Sequence, residues 1–185
     1  MRIVILIKPI KREVIKNCVH TFYEEYIVNP YDLYSLNFIL KIKQFCKASI
    51  TCLVMGALNT ENVLRQCIAA GCDNAVLVSD INFSGSDTIA TANVLEAAIK
   101  KIGYDLIVAG EKSVDGETGQ TKFALAELLN VACYCNVNQI EIEKNEIILT
   151  YDENGMIVEN IVELPCMISL NNLAYSYETL NLKKN

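Results

Sequence analysis

The stretch that most constrains this chain is DLIVAGEKSVDGETGQTKFALAELL, from Asp105 to Leu129. Leu106 to Ala109 is a short apolar run rich in β-branched residues, and Phe123 to Leu129 carries apolar residues at helical spacing, so the stretch reads as strand, loop, helix. Gly110, Gly116 and Gly119 in the loop permit tight turns and close approach of a ligand to the backbone. Ser113, Asp115, Thr118, Gln120 and Thr121 supply hydrogen-bonding groups. In an open parallel sheet such a loop lies at the carboxyl edge, where the free N–H groups of the following helix favour an anion. A phosphate or pyrophosphate is the natural guest.

The rest of the chain bounds what that loop belongs to. At 185 residues with 52% hydrophobic content, the chain is expected to form one α/β domain with a well-buried core. A net charge of −6 argues against a general nucleic-acid binder, which needs a basic face. Eight cysteines would suggest disulfides in a secreted protein, but the opening MRIVILIKPIKR turns charged after a short apolar run and does not read as a signal peptide. The thiols are expected to be reduced, as in a cytoplasm. No apolar run approaches the ~20 residues needed to span a bilayer, so no membrane insertion is expected.

In order, strand and helix alternate. Ile3 to Ile7 reads as a buried parallel strand, and the mixed segment Lys8 to Val28 is left as loop with some helix or strand. Asn29-Pro30 marks a helix start, with Leu33, Leu36 and Leu40 on one face. Ser49 to Met55 is a strand ending at Gly56. Thr60 caps a helix with Val63, Leu64, Cys67 and Ile68 inward, stopped by Gly71. Ala75 to Val78 is a strand, and a helix runs from Ser86 or Asp87 to Ile102, where Asp87 and Thr88 read as caps rather than ligand contacts. Glu146 to Tyr151 and Met156 to Val162 flank Asn154-Gly155 as an antiparallel hairpin. Cys166 to Leu170 is a last short strand, and residues 171–185 read as a surface tail. This pattern predicts a three-layer α/β/α sandwich, mainly parallel, with an antiparallel hairpin near the C-terminus.

The residues also resemble a known family. MRIVILIK, NPYD at Asn29 to Asp32, Met55-Gly56, GCDNAVLVSD, FSGSDTIATA, DLIVAGEKSVDGETGQT and VELPCMISL stand in the order found in the β subunits of electron-transfer flavoproteins, the family that includes the FixA proteins. The resemblance implies an adenine-nucleotide α-hydrolase-like fold. It also implies an electron carrier rather than an enzyme, with no catalytic residues, pairing with a homologous α subunit and working through FAD that the two share. A β subunit of this family also holds AMP, or a second FAD in electron-bifurcating members. Carried over by position, the nucleotide site would gather Leu6, Lys8, Asn29, Asp32, Met55, Gly56, Ser113, Val114, Asp115, Gly119, Gln120 and Thr121. Every one of those segments lies at or just after a strand's carboxyl end, so one sheet edge would present them together. Against the family pattern, Ala174 to Tyr177 stands where a Pro-Arg-Tyr element is usual. The chain reads as C-terminally shortened, ending about where family members continue into a partner-recognition loop and an arm that wraps the α subunit.

Other residues point less far. Cys133-x-Cys135 lacks the two-residue spacer of zinc knuckles and thioredoxin-type pairs, so no metal is expected. Cys52, Cys67 and Cys166 read as core packing. His20 reads as a surface residue with no nucleophile motif near it. Three functions are weighed. The first is an electron-transfer subunit serving an acyl-CoA or similar dehydrogenase. The second is a stand-alone adenine-nucleotide-binding module of the same fold without redox activity. The third is an enzyme of the α-hydrolase type, for which the SGGxDS-like loop is replaced by KPIKR after the first strand.

Overall fold

Strand β1 (Arg2–Ile7) is the axis of the molecule. Its Ile3, Val4, Ile5 and Ile7 are all buried, as an unbroken apolar run requires when a strand has covered faces on both sides. In the computed structural model, which describes residues 1–16, 21–116, 118–143 and 146–171, β1 pairs in parallel with β4 (Ser49–Met55) on one side and β6 (Leu106–Ala109) on the other. Outward from β4 lies β5 (Asn74–Val78). Beyond β6 lie β10 (Cys166–Leu170), β7 (Ala132–Glu143), β8 (Glu146–Glu153) and β9 (Met156–Val162), giving the order β5-β4-β1-β6-β10-β7-β8-β9.

The helices divide between the two faces. Helices α1 (Pro30–Lys43) and α2 (Glu61–Ala70) supply Leu36, Ile39, Ile42, Val63 and Cys67 to one core with Ile3, Ile5 and Ile7. Helices α3 (Thr88–Ile102) and α4 (Thr121–Leu129) supply Leu95, Ile99, Leu125 and Leu129 to the other, with Val4 and Ile107. The chain runs outward from β1 through β4 to β5, then crosses back over the opposite face to enter β6. The crevice between the carboxyl ends of β1 and β6 is therefore a topological switch point, where open α/β sheets bind ligands.

Two acids fasten the opposite edge of the sheet. Asp73, just before β5, accepts the Ile50 N–H at 2.7 Å and the Lys43 ammonium at 2.6 Å. Asp105, just before β6, accepts the Arg2 N–H at 2.7 Å and the Arg2 guanidinium at 2.8 Å. Both hold the start of a neighbouring strand in register, and these bonds keep both carboxyls below the usual range.

Several expectations meet corrections. The segment Lys8 to Val28 is an antiparallel ribbon, β2 (Pro9–Lys16) with β3 (Thr21–Val28), outside the main sheet. Charged residues such as Lys11, Arg12, Glu13 and Glu25 interrupt its alternation, because a two-stranded ribbon has little apolar surface to hide. Strand β7 gave no strand reading. It carries an irregularity where it passes from β10 to β8, which breaks its period of two: Val137 and Ile140, three apart, are both buried. In α1 the inward stripe is Leu36, Ile39 and Ile42, whereas Leu33 is exposed; in α2, Ile68 is exposed. Thr60 holds the cap position of α2 without a capping bond, its hydroxyl donating instead to the Ala57 carbonyl. The hairpin expectation holds: Asn154 and Gly155 both have positive φ, as a two-residue turn of matching twist requires. Asp87 caps α3 by accepting the Ala90 N–H at 2.7 Å. Cys52, Cys67 and Cys166 are buried in the core. His20, the tail beyond Asn171 and Ala174 to Tyr177 lie outside the described residues.

Candidate functional site

The carboxyl ends of β1, β4, β5 and β6 open onto one cleft of about 1190 Å³. Its position follows from the switch point, and its shape from three polar braces. The first is Asp32, on the opening turn of α1. Its carboxylate accepts the Lys8 N–H at the end of β1 at 2.8 Å and bonds to the Gly110 backbone at the end of β6, so one side chain ties together the two strands that flank the crevice. Burial pushes its pKa up to about 7, against the bonds from Lys8, Asn29 and Gly110. The second brace is Asn29, which does not cap α1. Its amide donates to the Lys112 carbonyl at 2.8 Å and its carbonyl accepts the Val114 N–H at 3.4 Å, holding the loop after β6. The third is the ion pair of Lys8 with Asp115 at 2.6 Å, in which Lys8 also donates to Ser113 Oγ at 3.2 Å. Partial burial tends to raise the Asp115 pKa, and the Lys8 and Ser113 bonds outweigh it and hold the carboxyl below its usual range.

Of the twelve residues expected at a nucleotide site, Leu6, Lys8, Asn29, Asp32, Met55, Gly56, Ser113, Gly119 and Thr121 line the cleft. Val114, Asp115 and Gln120 stand behind them: Val114 and Asp115 in the two braces, and Gln120 at the cap position of α4, its side-chain amide donating to Thr118 O. Asn29 and Asp32 are almost wholly buried, at 1% and 6% exposure. Their polar atoms are committed to the backbone, so they shape the cleft wall more than they offer free groups to a ligand. Gly56 closes the end of β4, where an added Cβ would stand 3.0 Å from Thr60 Oγ1. Gly119 has φ +60, and an added Cβ there would lie 2.8 Å from the Glu111 carbonyl oxygen.

The structure adds two features that the sequence reading missed. One is a second wall, from Ser79 to Thr88, where a short 3-10 turn (Ile81–Phe83) carries the chain from β5 into α3. The other is Lys122, which lines the cleft with 8% exposure and donates to the Glu111 carbonyl. A signal for Lys122 was present, since it shares the buried stripe of α4 with Leu125, Ala126 and Leu129. A cation in an apolar stripe needs compensation and therefore marks a site.

The doubly faced sheet, the switch-point cleft and the polar loop at the start of α4 define an α/β protein of the ligand-at-the-carboxyl-edge class. The chain belongs to the electron transfer flavoprotein domain family, which it matches over residues 18–181. It is 36% identical over 151 residues to Protein FixA of Azotobacter vinelandii, covering 78% of this chain and 54% of that protein. It is 36% identical over 123 residues to the electron transfer flavoprotein subunit beta of Thermoanaerobacterium thermosaccharolyticum, covering 66% and 47%. With the acryloyl-CoA reductase electron transfer subunit gamma of Anaerotignum propionicum it shares 35% identity over 149 residues, covering 77% and 55%. The chain thus spans about half the length of these relatives. No helix among the described residues is long and apolar enough to cross a membrane.

Proposed function

We propose that this chain acts as the β-type subunit of an electron-transfer flavoprotein. Its cleft holds an adenine nucleotide, AMP or FAD, and with an α subunit it positions the FAD that carries electrons between a dehydrogenase, of the acyl-CoA or a similar class, and a downstream acceptor. The observation that carries this reading is the convergence of nine of the twelve family-motif residues on one cleft. The cleft is larger than a mononucleotide needs, since pockets for drug-sized ligands run from about 300 to 1,000 Å³.

The bound flavin would supply the redox chemistry, and the chain's own residues bind and orient. The N–H groups from Gly119 to Thr121 and the Thr121 hydroxyl are the phosphate donors at the start of α4. Lys8 and Asp115 are both about half exposed, and such a pair is worth under ~1 kcal/mol. An entering phosphate can therefore compete with Asp115 for the Lys8 ammonium. Backbone groups beside Leu6 and Met55, which line the cleft, would meet the adenine edge. The end of β4 and the Ser79 to Thr88 wall enclose the other side and exclude water.

Calorimetric titration of the purified chain with AMP, using adenosine as the comparison, tests the phosphate side of this reading. AMP is expected to bind saturably and more tightly than adenosine. Thr121→Val is expected to weaken AMP about tenfold, the worth of one hydrogen bond to a charged oxygen, and to leave adenosine unchanged. A folded chain that binds neither AMP nor FAD would remove the reading.

A further inference from the structure

Outside the twelve residues of the nucleotide site, on the sheet face beneath α4, β7 carries two cysteines whose sulfur atoms stand 3.9 Å apart. In a regular strand residues two apart have Cα atoms roughly 6.8 Å apart, at the upper edge of the range that a disulfide spans, and their side chains run side by side rather than converging. Here the pairing with β10 slips between Ile168 and Leu170, opposite Cys135 and Asn136, and Asn136 adopts φ 55. A bulge of this kind bends its strand and re-aims side chains, and it accounts for the close approach of Cys135 to Cys133.

The two thiols differ in chemistry. The Cys133 hydrogen bond, assisted by the Lys122 ammonium, brings the Cys135 pKa down to about 7, while Cys133 is pushed up. Lys122 makes no ion pair among the described residues, and its charge favours the thiolate form of the pair. Among the described residues, access or acidity separates this pair from the other thiols. Cys52, Cys67, Cys72 and Cys166 are buried, and Cys46 has its pKa raised by burial. Among the described residues Cys135 alone combines a lowered pKa with partial exposure, the two conditions for a reactive thiol. No third metal-ligating side chain joins the pair among the described residues.

We propose that Cys133 and Cys135, brought sulfur to sulfur by the bulge in β7 beside the buried Lys122 ammonium, form a reversible dithiol–disulfide site that exchanges with small-molecule disulfides. The Cys135 thiolate attacks a disulfide R–S–S–R, forming a mixed disulfide and expelling one thiolate, which takes up a proton. Cys133 then loses its proton and attacks the Cys135 sulfur, closing the Cys133–Cys135 bond and expelling the second thiolate, which is protonated in turn. The two protein thiols are oxidised by two electrons, and one small-molecule disulfide is reduced to two thiols. The reverse sequence regenerates the dithiol.

The test uses the whole reduced chain and glutathione disulfide as the probe, with alkylation of the remaining thiols followed by peptide mass analysis. The expected result is loss of two hydrogens in the peptide holding Cys133 and Cys135, with two glutathione thiols released per chain. Cys133→Ser is expected to stop at a mixed disulfide on Cys135 with one thiol released, and Cys135→Ser to lose the exchange. Lys122→Met is expected to move the pH midpoint of Cys135 alkylation upward by about one unit, a roughly fivefold loss of thiolate at pH 7. Exchange or first alkylation at any other cysteine of the wild-type chain would overturn the proposal, as would an inert pair. The wild-type exchange with glutathione disulfide and the wild-type order of alkylation decide this, whether or not the variants fold.

Discussion

Replacing Gly110 by alanine is expected to destabilise this chain by about 3–4 kcal/mol, an effect as large as emptying a core position. The reason is local and geometric. A Cβ at position 110 would stand 2.2 Å from Asp32 Oδ1 and 3.1 Å from both the Asp32 nitrogen and the Tyr31 carbonyl carbon. Turning the Asp32 side chain away relieves the first contact only at the loss of its bonds, and the other two neighbours are backbone and cannot rotate away. The carboxylate would leave the Lys8 and Gly110 N–H groups, and the first turn of α1 would move off the end of β6. Denaturant unfolding measures the loss directly, and the same variant is expected to lose nucleotide binding because Asp32 and Gly110 meet at the floor of the cleft. Gly116→Ala provides the contrast. Its nearest neighbours are the ends of the Ser113 and Lys8 side chains, at 3.3 and 3.8 Å, and a change within about 1 kcal/mol is expected there.

Asp32→Asn is expected to change how stability depends on pH. The Asp32 pKa is about 7 in the fold, against roughly 3.9 in an unfolded chain, so the folded state holds this proton more tightly. The stability it contributes is full below about pH 4, declines as pH rises, and is gone above about pH 7. Asparagine cannot titrate. The stability difference between wild type and Asp32→Asn is therefore expected to fall by about 2–4 kcal/mol between pH 4 and pH 7. Urea unfolding of both proteins across that range checks it. A difference that stays constant, or grows with pH, would mean that the N–H donors around Asp32 hold it ionised and outweigh its burial.

How much of this could be read from residues alone follows from what each segment buries. Strands β1 from Ile3 onward and β6 are unbroken apolar runs, and β4 and β10 are interrupted only by small hydroxyl residues such as Thr51 and Ser169, because both faces are covered, and such runs announce themselves. The loop from Gly110 to Thr121 was legible as a loop for a different reason: glycines and small polar residues between an apolar strand and a helical stripe mark a βα connection, and its Gly110, Ser113, Gly119 and Thr121 line the cleft. The β2–β3 ribbon and the bulged strand β7 were not legible, since one has little to bury and the other breaks its own period. Asn29 and Asp32 line the cleft as expected, but their bracing bonds could not be read from the sequence. A sequence shows a helix-start signal at Asn29-Pro30, whereas the bonds from Asn29 to Lys112 and Val114 join positions more than eighty residues apart. Of the Ser79 to Thr88 wall, only the helix start at Ser86 or Asp87 and part of the family pattern were read, because nothing local reveals which cleft such a segment will face.

The central claim is that this chain holds an adenine nucleotide in its carboxyl-edge cleft and shares a flavin with an α subunit. The most direct test is to purify the chain alone and together with its candidate α subunit, denature each sample, and identify the released small molecules by absorbance and mass. FAD released only from the complex, with AMP or a second FAD beside it, is the predicted result. No complex and no flavin, with AMP or nothing released from the chain alone, would contradict the electron-carrier account and leave a nucleotide-binding module without a redox role.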